Sequence, residues 1–448
     1  MTIIKRYRVR ALSLALVAVA AVGACDAIDD LLEAENPAAI GEDELNDAAL
    51  IEVLVASVIG EFTEEYDDHI WSTSMPTDEQ VTGINWEDDA RTNQRIILFD
   101  EDPADNVFEA LSAARQMADS VSGRLRTLLE NPGDDVRLAT TLAYAGYSYI
   151  LLGEVMCEAT INLSDEIFTP VQLYEFAVAK LDEALTIALA AGSDGEDVAN
   201  LARVGLARAH LNLGNDAEVM THAAAVPADF VWWIEYSVDA GENVMFDRID
   251  GNNHALGVHP RFLNGTFGDN LIVATQTDPR IQHTVDWSRG HNQLTPLYKP
   301  FQSLPYSGYN GETIADGGEP ILYERDTDIK LASGLEARHH FAEADGPTAA
   351  TLVFVNDRRA FGNQSTVALA GDALMAELRE QRARDLYLGG FRMGDLRRYA
   401  RQGVNDPAHA FPSGEHVNEQ WGGYGDDTCF PIPIDEYDAN PDLPRPGS

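Results

Sequence analysis

Apolar residues recur at helical spacing from about Asp43 to Glu65 (Leu45, Ala48, Leu50, Ile51, Leu54, Val55, Val58, Ile59, Phe62), which predicts an amphipathic helix. The stretch from Ser72 to Asp105 is polar and broken by Pro76, Gly83 and Pro103, so it predicts a long irregular connection; Trp71 and Trp86 fall at its start and within it. Helical periodicity returns from Val107 to Glu130 and stops at Asn131-Pro132-Gly133. Three Ala/Leu/Tyr-rich helical segments follow, at Asp135–Glu154, Pro170–Ala191 and Val198–Leu213, with a shorter one at Asp216–Ala225 before Pro227. Small residues at Gly205, Ala209 and Gly214, with the closing Pro227, give this part the look of a degenerate tetratricopeptide (TPR)-like helix pair. Tyr174, Ala177, Leu181, Ala184 and Leu185 fit the same template, although no strict repeat period is present.

From Phe230 to about Gly334 turn residues become dense (Gly251-Asn252-Asn253, Asn264-Gly265, Gly317-Gly318), with short β-branched runs such as Leu271–Thr275. Trp232-Trp233, beside an apolar run, reads as core. Helical patterning resumes near Leu335–Ala344, Thr348–Arg359 and Ala370–Leu388, and the tail from Phe411 is rich in Gly and Pro. The expected class is mostly α: a TPR-like helical scaffold with an irregular, loop-rich insertion. The expected segments are a leader (1–24), an acidic tether (25–42), an N-terminal helical part (43–229), the insertion (230–334), and C-terminal helices with a Pro-rich strap (335–448).

Composition narrows the function classes. The 448 residues carry 31 Lys+Arg against 74 Asp+Glu, a net charge of −43, which excludes phosphate-backbone recognition as the main activity. With 45% hydrophobic residues the chain can still bury a core. The N-terminus is different: Lys5, Arg6, Arg8 and Arg10 precede the apolar run Ala11–Val22, too short to span a bilayer, and then Val22-Gly23-Ala24-Cys25. Small residues before a cysteine resemble the bacterial lipobox, so Cys25 is expected to be cleaved at and lipidated, with an acidic stretch (Asp26, Asp29, Asp30, Glu33, Glu35) after it. The remaining cysteines, Cys157 and Cys429, form an even pair in an oxidising setting. They are read as a disulfide, with two buried thiols as the alternative.

The last third carries the most specific pattern. Glu343-Ala344 precedes Val355-Asn356-Asp357-Arg358-Arg359; then come Glu380-Gln381-Arg382-Ala383-Arg384-Asp385, Gly389-Gly390-Phe391-Arg392 and Asp395-Leu396-Arg397-Arg398. The chain closes with Phe430-Pro431-Ile432-Pro433-Ile434-Asp435-Glu436-Tyr437 and Asn440-Pro441. In this order these segments resemble the SusD/RagB family of outer-membrane nutrient-uptake lipoproteins, as do Asp278-Pro279-Arg280 and the lipobox. The resemblance implies a surface lipoprotein of the outer membrane, held by its lipid anchor alone, that captures glycans or other oligomeric nutrients. It would pass them to a TonB-dependent, SusC-like β-barrel. Read from the residues themselves, Arg382, Arg384, Arg392, Arg397 and Arg398 beside Asp385 and Asp395 predict a buried or half-buried ion-pair network, since guanidinium forks onto carboxylate. Pro431-Ile432-Pro433 predicts an extended strap laid on the helices.

No nucleophile elbow, phosphate loop, H-E-x-x-H or complete EF-hand loop is present, so no catalytic residue, metal or cofactor is expected. The 11 His are scattered; His339-His340 and His254…His259 lack metal-ligand company. For sugar capture the useful groups are aromatic platforms flanked by amides and carboxylates. The candidates are Trp71 and Trp86, Trp287, Tyr306 and Tyr309 with Asn310, and Trp421 and Tyr424, with the Ser307–Gly311 loop preferred. The competing readings are a TPR-like scaffold without a small ligand and, last, a surface glycosidase.

Overall fold

Ile51, Leu54, Val55, Val58, Phe62, Tyr66 and Ile70 fall on one side of a helix, and all are buried in the computed structural model. The structure describes residues 44–445 apart from 163, 240, 264–277, 285–287, 301–322 and 419–420. Residues up to Leu50 and those from Ile51 onward form two separate compact units. In the first, the described part is two 3-10 turns, Glu44–Asn46 and Ala48–Leu50. There the Asp47 carboxylate accepts from Ala49 N at 2.9 Å, a local bond that competes with helix. The α-helix expected from about Asp43 therefore starts only at Ile51, and it runs past Glu65 to Ser74, two residues before Pro76.

The second unit begins with that helix, α1 (Ile51–Ser74), then β1 (Gln80–Thr82), α2 (Glu87–Asn93) and α3 (Asp102–Leu128). The polar stretch 72–105 is thus more ordered than its composition predicts. Next come α4 (Val136–Val155), α5 (Pro170–Ala190), α6 (Glu196–Leu213) and α7 (Asp216–Ala224), each packed on its neighbour in sequence. These match the predicted TPR-like segments to within about two residues, and several of the boundaries carry local chemistry: Asp135 caps α4 by accepting from Arg137 N. Thr169 and Gln172 form a capping box at the start of α5, and Gly214 takes positive φ after α6. Small residues set the helix spacing: a Cβ on Gly146 would lie 2.5 Å from Leu181 Cγ, so α4 and α5 approach only because it is glycine.

The loop-rich part holds β2 (Val231–Ile234), α8 (Val244–Ile249), β3 (Leu256–Val258), β4 (Ser288–Arg289), β5 (Pro296–Leu297) and β6 (Ile329–Ser333). Among the described residues the strands form three two-stranded antiparallel ladders, β1–β3, β2–β6 and β4–β5. Trp232 and Trp233 are half-buried on β2 rather than core. Trp232 Nε1 donates to the Tyr144 hydroxyl at 3.2 Å, and Lys330 Nζ lies 5.1 Å from the Trp233 ring. Leu271–Thr275 lies outside the described residues.

The C-terminal helices are α9 (Gly334–Asp345), α10 (Ala349–Phe361), α11 (Gly371–Asp385), α12 (Arg392–Arg401) and α13 (Ile434–Ala439). The arginine-rich motif spans two helices, broken where Leu388 and Gly390 take positive φ. Asp385, fully buried, accepts from Arg280 at 3.0 Å and Arg358 at 2.8 Å and lies 2.7 Å from His339 Nε2. Asp395 accepts from Arg382 at 2.7 Å and Arg398 at 2.8 Å, Asp78 from Arg392 at 2.6 Å, and Glu380 from Arg384 at 2.7 Å. Arg397 differs from expectation: it donates to the Glu154 carbonyl at 2.7 Å. The strap lies against the end of α4, with Phe430 N donating to Val155 O and Cys157 N to Phe430 O; Ile432 is buried with Tyr437 and Leu443. A disulfide joins Cys157 to Cys429 across 272 residues, Cα–Cα 5.0 Å.

Candidate functional site: an acidic cleft with tryptophan walls

The second half of α1 turns its sides to different environments. Tyr66 and Ile70 face the core, while Glu61, Glu65 and Asp68 line a cleft of about 830 Å³ closed by α2, α3 and Arg248 of α8. Two contacts bring α8 to this place. The Asp67 carboxylate accepts from Val244 N at 2.5 Å, fixing the first turn of α8 on α1, and Asn243 caps that turn by accepting from Met245 N. The β1–β3 ladder then ties the chain after α8 to the chain after α1, with Val81 opposite Gly257.

One turn into α8, the Arg248 guanidinium lies 5.2 Å from the Trp71 ring and 5.4 Å from the Trp86 ring. Trp71 is on the helix, not in a loop, and only 3% exposed; Trp86, at the N-cap of α2, is 45% exposed and offers a ring to solvent. The structure therefore joins these two sequence candidates through an arginine that the sequence did not single out. Asn85 and Asn106 supply amides to the same cleft.

Eight carboxylates line the cleft, with Arg248 as its guanidinium. Burial lifts the Glu65 carboxyl to about 7, aided by the charges of Asp68, Glu61, Glu64 and Glu109. Asp89 rises to about 6 through burial and the neighbouring Asp88, with Arg248 opposing the rise. Burial also raises Glu61, with Glu64 adding to it, and Asp68, against the pull of Arg248. Asp67, behind the wall, is pushed to about 8 by burial. Such a surface offers acceptors and shared protons, with an aromatic face at its edge.

Trp421 and Tyr424 lie in a different cluster, 5.0 Å and 4.4 Å from the His416 ring by centroids. They do not line the acidic cleft. Nearby, Arg95 donates to Asp427 O at 2.9 Å and stacks 5.0 Å from the Phe411 ring. Trp287, Tyr306, Tyr309 and Asn310, including the preferred loop, lie outside the described residues, as does Cys25. The acids of the cleft are not among the expected site residues, although the sequence carries their signal: Glu61, Glu64, Glu65 and Asp68 recur on one helix side, and Glu87-Asp88-Asp89 are consecutive. Arg248 carries no such signal.

No family model matches the sequence, and no curated protein is similar to it. Solved structures match over nearly the whole chain. A SusD superfamily protein from Bacteroides vulgatus superposes with a TM-score of 0.64 at 15% identity, covering 90% of this chain and 99% of its own. Another, from Parabacteroides distasonis, gives 0.62 at 13% identity, covering 89% and 98%. A laminarin-binding SusD-like protein gives 0.55 at 13% identity, covering 90% and 100%. The chain thus has the SusD-like fold, mostly helical with short strands.

Proposed function

We propose that this protein captures glycans in the acidic cleft, without turning them over, as a lipid-anchored lipoprotein of the outer membrane that hands its ligand to a TonB-dependent transporter. The observation that carries the binding site is Trp86: a half-exposed indole at the mouth of a cleft whose walls present carboxylates and two amides. An aromatic face stacks on the apolar face of a pyranose while carboxylates accept from its hydroxyls. The fold supports the reading, since structures sharing it include a laminarin-binding protein. The lipid anchor rests on the Cys25 lipobox, and the transporter on the resemblance of the C-terminal motifs.

The charge of the cleft selects among glycans. Eight carboxylates around one guanidinium repel uronic or sulfated chains and accommodate neutral or amino sugars. Native electrophoresis of the detergent-solubilised chain through gels containing laminarin, other neutral glucans, chitosan oligomers or alginate tests this directly. Retardation by a neutral or amino glycan with none by alginate is expected. Retardation by alginate alone would overturn the assignment of the cleft, and release of reducing ends would replace capture by hydrolysis, with the raised Glu65 as the acid to test.

A further inference from the structure

His210 lies in the last turn of α6 and His222, twelve residues later, in the last turn of α7, with Glu218 one turn before His222. The hairpin folds these three together: one donor atom from each lies within 4.8 Å of the others. Their imidazole rings are parallel, 6° apart, with centroids at 5.8 Å, and Glu218 Oε2 is 3.9 Å from His222 Nε2. The Asn215 side-chain nitrogen is 3.3 Å from His210 Nδ1, in the tight connection after Gly214.

We propose that His210, Glu218 and His222 form a binding site for a divalent transition metal, zinc by preference, that clips α6 to α7. Two imidazoles and a carboxylate are a zinc ligand set, with the fourth position left to water. A tetrahedral ion with bonds of about 2.0–2.2 Å separates its donors by roughly 3.3–3.6 Å, so on binding the three side chains rotate to draw their donors together. The side chain of Glu218 is 57% exposed and that of His222 14%, which leaves an entry path. Asn215 supplies the outer support: with its amide turned so that the oxygen accepts from His210 Nδ1–H, the other ring nitrogen is left for the ion. Asp182 adds negative charge near both imidazoles, while Arg203 opposes it at His222. Contrary to the expectation of no metal site, Glu218 and His222 share one helix face and the helical hairpin brings His210 to them.

The site is remote in composition from the acidic cleft, which shares none of its residues. Zinc titration of the full chain by calorimetry, in moderate salt to suppress diffuse binding to acidic surface, should show one tight equivalent. Glu218→Gln and His222→Asn should each weaken it at least about tenfold. Cobalt should give the intense visible bands of a tetrahedral site in the parent chain and lose them in either variant. Glu218→Gln changes an exposed side chain, so a failure to fold does not obscure the reading. Zinc bound equally by parent and variants, or no tight equivalent at all, would overturn the proposal.

Discussion

Asp385 and Glu65 are both helical carboxylates in a chain overloaded with acid, yet their surroundings differ in one respect. Around Asp385 are Arg280, Arg358 and His339; burial alone would raise its carboxyl, but these partners overcome it and hold it far below the usual carboxylate range. Around Glu65, burial acts with four other carboxylates and the group rises to about 7. Arginines are dense among the C-terminal helices, where Asp385, Asp395 and Glu380 each have a guanidinium opposite. The cleft is left with Arg248. Partnered carboxylates hold the fold; crowded ones form a surface that favours hydrogen-bonding or cationic company.

The sharpest way to break the contrast is at Asp385. Asp385→Asn leaves Arg280 and Arg358 facing a neutral group in a fully buried setting, and should cost about 3–5 kcal/mol in urea unfolding. Replacing both cysteines by serine should cost somewhat less, about 2–5 kcal/mol, since the bridge closes 272 residues of chain. A loss under about 0.5 kcal/mol in either variant would show that the network or the staple is not holding the strap and helices together.

Glu65→Gln should act in the opposite direction. An acid whose folded pKa is raised contributes stability that is present below its unfolded value, near 4.5, and lost as pH rises through about 7. The glutamine variant should therefore be more stable than the parent at pH 8, by on the order of 1 kcal/mol after solvent screening is allowed for, with the difference vanishing below about pH 4.5. Asp395 and Glu380 give the reverse. Burial opposes them, but their arginines win, leaving Glu380 at about 2 and Asp395 lower still. Their contribution is present above the unfolded value and lost as pH falls through the folded one, so Glu380→Gln should be destabilising at pH 7 and converge on the parent in strong acid.

The same contrast explains what the sequence made legible. Helices α3 to α7 were readable because apolar spacing, breakers and caps agree along them, and the arginine-rich motifs stood out because charge on a helix needs a partner. The cleft was only half visible. Trp71 and Trp86 are legible as aromatics, but Pro76 and the polar run beyond it mask the last turn of α1, which holds Trp71. Arg248 meets both indoles only because Asp67 pins α8 from 177 residues away, a contact without local signature. Trp421 and Tyr424 looked equivalent to them in sequence and packed instead on His416.

That pair of aromatic clusters gives the most direct test of the central claim. In a gel whose polysaccharide retards the parent chain, Trp86→Ala should lose most of the retardation, an affinity drop of about tenfold or more, while Trp421→Ala should migrate like the parent. If Trp86→Ala is retarded as strongly as the parent, the acidic cleft is not where the glycan binds.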